Sequence, residues 1–388
     1  MTEETIYHSR DMSFKGQIIF DFLLSHSEIF RELAVIKKEG WNNPEGDAHF
    51  QRQRQYIDNA PLKEQHRHIK LMRKVGDEME ATTGALSFSE PHARVLDICM
   101  APGAFSEKML QYSPQAIVSG LTLPVSLGGH PVLVPFGSAE RLDVSFLDVT
   151  MLATEFGVSD IPVDHPEKIH LSLWRHKRPW ADTLFDLVFC DGNSLRTHEP
   201  HYAEYRKQHE KTRLMCSQLI LAFQRIRPGS TVIMLLHNVE MWETAELLER
   251  IDKVSEMTLF KSTVSHRIRG SFYLIAKNVQ PYLPEALEAV AHWKVVWKRT
   301  TFPEPAETNM QSPTDADKGT ERKEVVELLA NFSDRLIGLG EPIWKIQSEA
   351  LQEAPWFKRA SDTVRTASVD GASETGSPSA ALIMENDG

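Results

Sequence analysis

Short apolar runs alternate with amphipathic stretches through the middle of the chain, from Arg94 to Asn278. Apolar runs bounded by turn signals are typical of buried strands, whereas apolar positions three and four residues apart are typical of helices. This alternation predicts an α/β fold, a mostly parallel sheet with helices on both faces. No helical pattern separates the last two strands, which predicts an antiparallel edge. We expect strands at 94–100, 116–122, 184–191, 231–237, 260–266 and 272–276, and helices at 105–111, 202–225 and 243–256.

Helical extensions are predicted on both sides of this α/β domain. On the N-terminal side, apolar positions recur at helical spacing over 13–38 with a break near 25–27, and a further helix is expected at 61–82. The predicted divisions are an N-terminal helical extension at 1–64, the α/β domain at 65–280, a helical extension at 281–300, a disordered linker rich in Pro, Thr, Asp and Glu at 301–320, a C-terminal helical segment at 321–357 whose amphipathic part is 321–339, and a disordered tail at 358–388.

The composition is that of an ordinary globular protein, with 41% hydrophobic and 25% charged residues. No apolar run approaches the roughly 18 residues of a membrane span, so no membrane association is expected. Glu3 and Glu4 follow the first residue where a secretory signal would be basic and then apolar, which favours an intracellular, cytoplasmic or nuclear location. The three cysteines are widely spaced in apolar surroundings and are interpreted as small core residues.

The net charge of −11 is concentrated near the C-terminus, where the last 86 residues carry 16 acidic and 8 basic side chains. An acidic protein is not expected to bind nucleic acid strongly and nonspecifically, because neutralising phosphates supplies most of that affinity. Two local segments are nevertheless basic, 51–74 and 168–180, and the second also contains Trp174 and Trp180. Such segments suit phosphates and stacked bases, although a solvated charged face is the simpler interpretation of each.

The strongest chemical signal is the segment LDICMAPGAF at 96–105, where a predicted strand meets a predicted helix. Ligands of open α/β sheets bind at the carboxyl ends of the strands. Pro102 suits the first turn of a helix, and Gly103 would let a ligand approach the backbone, where free N–H groups attract a carboxylate. Asp97 at the strand end would face an ammonium group. The alternatives are a tight β-α turn without function, or a dinucleotide site, for which the G-x-G-x-x-G fingerprint is absent.

This segment resembles the first motif of the FtsJ-like RNA 2′-O-methyltransferase family, and further motifs follow in family order over 74–278. The resemblance implies a Rossmann-like class I methyltransferase with a seven-stranded sheet, S-adenosyl-L-methionine as cofactor, and an RNA ribose 2′-hydroxyl as acceptor. The other matching segments are FLDVT at 146–150, FDLVFCDG at 185–192, LILAFQRIRPGSTVIMLL at 219–236 and SHRIRGSFYLIAKN at 265–278.

The resemblance also assigns the cofactor-binding residues. An acidic residue that would hold the ribose hydroxyls is expected after the second strand, but Leu121 occupies that position, so ribose recognition must be rearranged. Asp148 lies in the acidic loop that would contact the adenine, although an isolated aspartate is as often a solvated cap. The implied cofactor contacts are Asp97, Met100, Ala101, Pro102, Gly103, Phe105 and Asp148.

Members of the family catalyse the reaction with a Lys-Asp-Lys-Glu tetrad, of which half is missing here. Lys74 resembles the first lysine and Asp191 the aspartate, whereas Leu235 and Ser271 stand at the other two positions. A displacement on a sulfonium needs an aligned, partly deprotonated hydroxyl, so a base is required. His237, two residues beyond Leu235 and on the same strand face, is the candidate replacement. The alternative is that His237 merely ends a strand.

Three functions therefore stay open: an RNA 2′-O-methyltransferase, a methyltransferase of the same fold that acts on a small molecule, and a relative that binds cofactor or RNA without catalysis. The rim of the cleft distinguishes the first two. A continuous positive rim favours RNA, whereas an enclosed apolar pocket favours a small substrate.

Overall fold

The computed structural model describes residues 12–41, 43–44, 48, 62–88, 90–134, 140–194, 202–302 and 315–354. Its helices are α1 (Phe14–His26), α2 (Glu28–Trp41), α3 (Leu62–Thr83), α4 (Ala104–Tyr112), α5 (Lys168–Trp174), α6 (Glu204–Arg225), α7 (Trp242–Asp252), α8 (Pro284–Thr301) and α9 (Asp315–Gln352). Its strands are β1 (Arg94–Ile98), β2 (Ile117–Thr122), β3 (Leu142–Phe146), β4 (Phe185–Cys190), β5 (Ile226–His237), β6 (Glu256–Phe260) and β7 (Ser271–Val279).

The strands form one sheet in the order β3-β2-β1-β4-β5-β7-β6. Neighbours from β3 to β5 are parallel, whereas β7 runs antiparallel to both β5 and β6. The central strands are apolar along their whole length because helices cover both faces. One face packs on α3 and α4, and the other on the remaining long helices. The predicted α/β, mostly parallel, seven-stranded sheet with an antiparallel edge is confirmed.

The carboxyl ends of β1 and β4 lie side by side at the centre of the sheet. The register pairs Asp97 of β1 with Phe189 of β4, so that Asp191, one residue beyond β4, follows next to Asp97. The chain leaves β1 towards β2 on one side, and β4 and β5 lie on the other. This reversal of direction creates the crevice in which ligands of open α/β sheets bind.

Two edge strands differ from the sequence predictions. No strand is predicted at β3, and the strand expected at 260–266 is instead β6, which ends at Phe260. Both edge strands alternate polar and apolar side chains and are half-exposed, so their apolar signal is weak. The segment after Phe260 forms the β6–β7 loop (261–270), which lies at the carboxyl edge of the sheet.

Helices α1, α2 and α9 pack together on the α7 and β6 side of the sheet. Ser27 ends α1 and accepts a hydrogen bond from the Phe30 amide in the first turn of α2, which places the break where the sequence predicts it. The rings of Phe30 and Trp344 lie 4.8 Å apart between α2 and α9. None of the helices in the described ranges is both long and apolar enough to cross a membrane.

The segment expected to be a linker at 301–320 is helical at both ends. Thr301, the last residue of α8, is fully buried because its hydroxyl accepts a hydrogen bond from Arg213 Nε at 3.0 Å. Helix α9 already begins at Asp315. Residues 303–314 and the expected tail at 358–388 lie outside the described residues.

Candidate active site

The Asp97 carboxylate lies buried at the carboxyl end of β1, with 2% of its surface exposed. The Ser106 hydroxyl in the first turn of α4 donates to its Oδ2 at 2.6 Å. Burial raises the pKa of Asp97 to about 7, an increase that the Ser106 hydrogen bond only partly offsets. Within the described part of the chain, no lysine or arginine forms an ion pair with it. A buried carboxylate in this state is suited to a ligand that brings its own positive charge.

Asp191 lies beside Asp97, one residue beyond β4. The Tyr273 hydroxyl of β7 donates to its Oδ1 at 3.1 Å. Burial raises the pKa of Asp191 to about 7, the negative charge of Asp97 adds to this, and the hydrogen bond from Tyr273 opposes it. A carboxyl group whose pKa is close to neutral is a far better proton acceptor than an ordinary aspartate.

Asp191 and the residue after it are positioned by two residues that the sequence analysis does not identify. Tyr273 is fixed in the core, where its ring packs edge-on against Phe105 at 5.6 Å. The Gly192 amide, next in the chain after Asp191, donates to Oε1 of the buried Gln218 on α6 at 2.8 Å. An aromatic residue in a strand or an amide in a helix gives no functional signal in sequence, because core packing accounts for both.

The loop from Cys99 to Gly103 connects β1 to α4 and lies next to both carboxylates. Cys99 has a left-handed backbone with φ 67° and is half-buried at the edge of the core, whereas Cys190 and Cys216 are fully buried in it. Such a conformation in a residue other than glycine is a mark of functional loops. Burial and the surrounding carboxylates, Asp148 first, raise the pKa of the Cys99 thiol, which leaves it protonated.

Pro102 does not occupy the first turn of α4, contrary to the sequence expectation. Gly103 has φ 102°, a left-handed conformation that precedes the helix, so helical geometry begins only at Ala104. A side chain at Gly103 would also come within 2.4 Å of Val134 Cγ2. Glycine is therefore required here by the close approach of Val134, a residue of the loop before β3, and not only by a ligand. The absence of a side chain lets this loop pack against the segment 96–105.

The residues at the end of β1 fit an S-adenosylmethionine cofactor. Its ammonium group would satisfy the Asp97 carboxylate, and its own carboxylate would meet the free N–H groups at the start of α4. Met100 lies against β2, where a side chain at Gly120 would contact its sulfur at 2.3 Å. The ring of Phe105 is buried and stacks on Phe189 at 5.4 Å, so its visible role is to support Tyr273 rather than to face a ligand.

Leu121 is a buried residue within β2 and contacts the core on the α6 side. Its backbone carbonyl accepts a hydrogen bond from the Met100 amide at 2.8 Å, which joins the cofactor loop to β2. The Leu121 side chain therefore points into the core and offers no polar group at this position.

Asp148 is buried and has two structural partners. Its Oδ1 accepts from the amide and hydroxyl of Thr150, at 2.9 and 2.7 Å, and its Oδ2 accepts from Arg206 at 2.9 Å. Arg206 and Thr150 thus hold the carboxylate in place. Burial acts to raise the pKa of Asp148, but the positive charges of Arg206 and Arg213 and the hydrogen bonds from Thr150 together lower it. An adenine contact by Asp148 would use the lone pairs that these bonds leave open.

Arg206 belongs to a buried ionic network that joins α6 to the Asp148 loop and to α8. Arg206 and Arg213 share the Glu210 carboxylate, and Arg206 also contacts Glu167 at 3.3 Å. Arg213 in turn reaches Thr301 of α8. Buried charges persist only when they are paired, so the network links the cofactor side of the sheet to the C-terminal extension.

Removal of one cation from this network should strongly destabilise the fold. We expect Arg206→Met to lower the free energy of unfolding by about 3–5 kcal/mol, because it removes the cation that three buried carboxylates share, those of Asp148, Glu167 and Glu210. Lys207→Met is the matched control, since Lys207 pairs with Glu204 at the surface and such pairs contribute about 0–1 kcal/mol. Urea unfolding measures both. Equal losses in the two variants would contradict this role of the network.

Lys74 is exposed on α3, and in the described part of the chain no hydrogen bond joins it to Asp191. Its neighbour Arg73 pairs with Glu107 of α4 at 2.6 Å. Leu235 lies directly opposite Tyr273, and His237 lies opposite Ser271 at the end of β5. Leu235 and His237 therefore share a strand face, as predicted. His237 is exposed at the end of β5, two residues beyond Leu235, which is the residue paired with Tyr273.

A family model for the FtsJ-like methyltransferases matches residues 77–279, a little over half of the chain. A search of curated proteins gave no match.

Similar solved structures share low sequence identity with the chain. A protein from Plasmodium falciparum named as a ribosomal RNA methyltransferase is 15% identical, with a TM-score of 0.34, over 53% of this chain and 96% of that one. An O-methyltransferase family protein from Burkholderia thailandensis is 10% identical, with a TM-score of 0.33, over 66% and 73%. TrmN from Thermus thermophilus is 12% identical, with a TM-score of 0.29, over 53% and 48%.

Proposed function

Because the chain belongs to the FtsJ-like methyltransferase family, a family of S-adenosylmethionine-dependent methyltransferases, we propose that it methylates the 2′-hydroxyl of an RNA ribose with Asp191 as the proton acceptor. The observation that carries the proposal is the state of Asp191. Its carboxylate lies beside the cofactor-binding Asp97, is held by Tyr273, and has a pKa of about 7. A hydroxyl placed against it can lose its proton as the methyl group arrives.

The cofactor supplies a methyl group on a positively charged sulfur. In the proposed reaction the hydroxyl oxygen forms a bond to that methyl carbon, the carbon–sulfur bond breaks, and the hydroxyl proton passes to Asp191. Asp97 binds the ammonium group and fixes the methyl donor at the end of β1, while Asp191 aligns the acceptor at the end of β4. The principal contribution of the protein is this alignment, together with one proton transfer.

The raised pKa of Asp191 accounts for the loss of half of the tetrad. An aspartate with an ordinary pKa near 4 needs an adjacent lysine to remove or share the proton, whereas a carboxyl group with a pKa of about 7 accepts the proton itself. Leu235 is compatible with this scheme, because an apolar neighbour helps to keep the site poorly hydrated. His237 remains the second candidate base, and Lys74 retains only the resemblance in its favour.

The rim of the cleft supports an RNA acceptor over a small molecule. The exposed face of α3 carries Arg67, Lys70 and Lys74, and the neighbouring β6–β7 loop carries Arg269, whereas Arg267 of the same loop pairs with Glu353. Glu78 fixes this loop to α3, since it accepts hydrogen bonds from the Ser262 hydroxyl and the Thr263 amide. A run of cations along one side of the cleft suits a chain of phosphates.

The proposal is tested with the full-length protein, cofactor that carries a labelled methyl group, total RNA and a metabolite extract. We expect label in RNA, recovered as 2′-O-methylnucleosides after digestion and identified by mass spectrometry. Label that appears only in a small metabolite, or only in methylated bases, would overturn the proposed acceptor. Absence of transfer to either fraction despite cofactor binding would overturn the proposed catalysis.

Tyr273→Phe tests how Asp191 is held. Loss of one hydrogen bond to an ionisable partner should reduce kcat by about fivefold, from roughly 1 kcal/mol. It should also raise the pKa of Asp191, because the hydroxyl donates to the ionised form, so the acidic limb of the pH–rate profile moves to higher pH. Tyr112→Phe is the control, since the Tyr112 hydroxyl at the end of α4 donates to Asp77 of α3 in an exposed hydrogen bond. An unshifted limb in Tyr273→Phe would exclude this role.

A further inference from the structure

Four histidines from distant parts of the chain come together at the carboxyl edge of the sheet. His68 is on α3, His130 precedes β3, His237 ends β5, and His266 lies in the β6–β7 loop. We call these four residues, with Arg269 of the same loop, the histidine cluster. The rings of His68 and His266 lie 6.3 Å apart. His130 and Arg269 are close enough to His68, and His237 to His266, for each charge to affect the other.

The cluster stands next to the candidate active site. The loop that contains His130 is anchored to the cofactor motif by a hydrogen bond from the Leu133 amide to the Pro102 carbonyl at 3.0 Å. The β6–β7 loop is anchored to the end of β5 by a bond from the Asn238 amide to the Gly270 carbonyl at 2.9 Å. A group bound between these two loops would therefore lie at the mouth of the cleft that holds Asp97 and Asp191.

The β6–β7 loop is fixed before any ligand arrives. Inside the loop, the buried Lys261 ammonium donates to the carbonyls of Arg269 and Ser271 at 2.6 and 2.8 Å. From outside, Gln347 of α9 donates to the Ile268 carbonyl at 3.2 Å, and Arg267 pairs with Glu353 at 2.9 Å. The C-terminal helix thus contributes to the position of His266 and Arg269. Such preorganisation lowers the entropy cost of binding.

Among the described residues, the charges that shift the pKa values of these histidines are all positive. The groups that lower the pKa of His68, His237 and His266 are, after burial, cations or other histidines: His130, Lys211 of α6, Lys261 and Arg269. The pKa of His130 is lowered by burial, and that of His266 falls to about 4. No carboxylate contributes to these shifts. The histidines of the cluster are therefore neutral in the free protein and can take up protons when an anion binds.

We propose that the histidine cluster binds a phosphodiester of the substrate next to the ribose that is methylated. This inference rests on the proposed RNA substrate. The ring centroids of His68 and His266 lie 6.3 Å apart, which is too far for a direct hydrogen bond between the two rings but close enough for both rings to donate to one phosphate group. Arg269 supplies the permanent positive charge, and guanidinium groups pair well with phosphate.

The proposal implies that binding takes up protons. A phosphodiester favours the charged form of each histidine, so the pKa of His68 and His266 rises on binding, and affinity increases as the pH falls towards 5, where His266 with its pKa of about 4 in the free protein begins to gain a proton. Of the cations that face the site, Arg269 is charged throughout this range, whereas burial lowers the pKa of Lys261 to about 7, so Lys261 is already charged at pH 6. A rim of cations without histidine participation would therefore bind a phosphodiester almost equally at pH 5 and pH 6.

The first test uses the wild-type protein and inorganic phosphate as the probe. The ring C–H signals of the histidines are titrated by NMR with and without phosphate. We expect the midpoints of His68 and His266 to move up by about one pH unit with phosphate, while His176 stays unchanged. His176 is a suitable internal control, because it is exposed near Arg178, at the amino-end side of the sheet. Unmoved midpoints at saturating phosphate would overturn the site.

The second test distinguishes an RNA backbone from free phosphate. With a short oligoribonucleotide that the protein methylates, His266→Gln and Arg269→Gln should each raise KM about tenfold with kcat within about twofold, whereas His176→Gln changes neither. Melting temperatures confirm that the variants fold. Phosphate binding without an effect on KM would show that the site serves free phosphate and would overturn the proposal for the substrate. Phosphate binding in a protein that methylates no RNA would refute the proposed function instead, and leave a phosphate site.

Discussion

Asp191→Asn is expected to abolish methyl transfer while leaving the fold and cofactor binding intact. An amide has the same shape as the carboxylate but cannot accept the hydroxyl proton, and loss of a general base typically costs about 10²- to 10⁴-fold in rate. The Tyr273 hydroxyl can still donate to the amide oxygen, so local packing is kept. Single-turnover transfer of a labelled methyl group measures the loss, and calorimetry measures cofactor affinity.

Asp186→Asn is the matched control for this variant. Asp186 is also an aspartate of β4, but at the amino end, where it accepts from the Arg94 amide at 2.8 Å and pairs with Arg227 at 3.1 Å. It should retain full activity. If Asp191→Asn also retained its activity, and His237→Gln lost it, the base would be His237. The pH profile alone does not separate the two groups, because the pKa of Asp191, about 7, is near that of an ordinary histidine.

The motif residues were predictable because they are defined by local sequence. Asp97 and Asp191 each follow a short apolar run at a strand end, and parallel strands bring such ends to one edge of the sheet. The helix break at Ser27 is equally local, since a serine that caps the next helix interrupts the apolar pattern. These parts of the fold can be predicted from one sequence because helix and strand propensity, the hydrophobic pattern and the sheet topology all indicate the same structure.

The supporting residues were not predictable because their roles depend on contacts between distant segments. Tyr273 is 82 residues from Asp191, and Arg206 is 58 residues from Asp148. Helix α9 lies within the predicted helical segment at its C-terminal end, and it continues past the amphipathic part at 321–339 and through Pro342, because Trp344 beyond it packs on α2. Tertiary packing here outweighs the local signals of Gly340 and Pro342 that normally end a helix.

Asp97→Asn is expected to weaken cofactor binding at least about 30-fold, since loss of one partner of a buried charge pair costs about 2 kcal/mol or more. In the wild type, binding of the ammonium group requires the ionised carboxylate. Because the pKa of Asp97 is about 7 without the cofactor, affinity should fall as the pH drops below 7 and level off above it. Calorimetric titrations between pH 6 and 8.5 measure this dependence, which Asp97→Asn should lack.

The stability of the cofactor-free protein should depend on pH in the opposite sense to the cofactor affinity, and fall as the pH rises. A carboxylate whose pKa is raised by burial destabilises the folded state above its unfolded pKa, so the stability of the wild type falls as the pH rises from about 4 through 7. Asp97→Asn removes this cost and should melt at a higher temperature than the wild type at pH 8, although it binds the cofactor poorly. A structural aspartate would give the reverse, a lower melting temperature with unchanged affinity, and that result would remove Asp97 from the cofactor site.

Ser106→Ala provides the intermediate case. Without the hydroxyl that donates to Asp97, the pKa of the carboxyl rises further, and the pH dependence of cofactor affinity moves to higher pH.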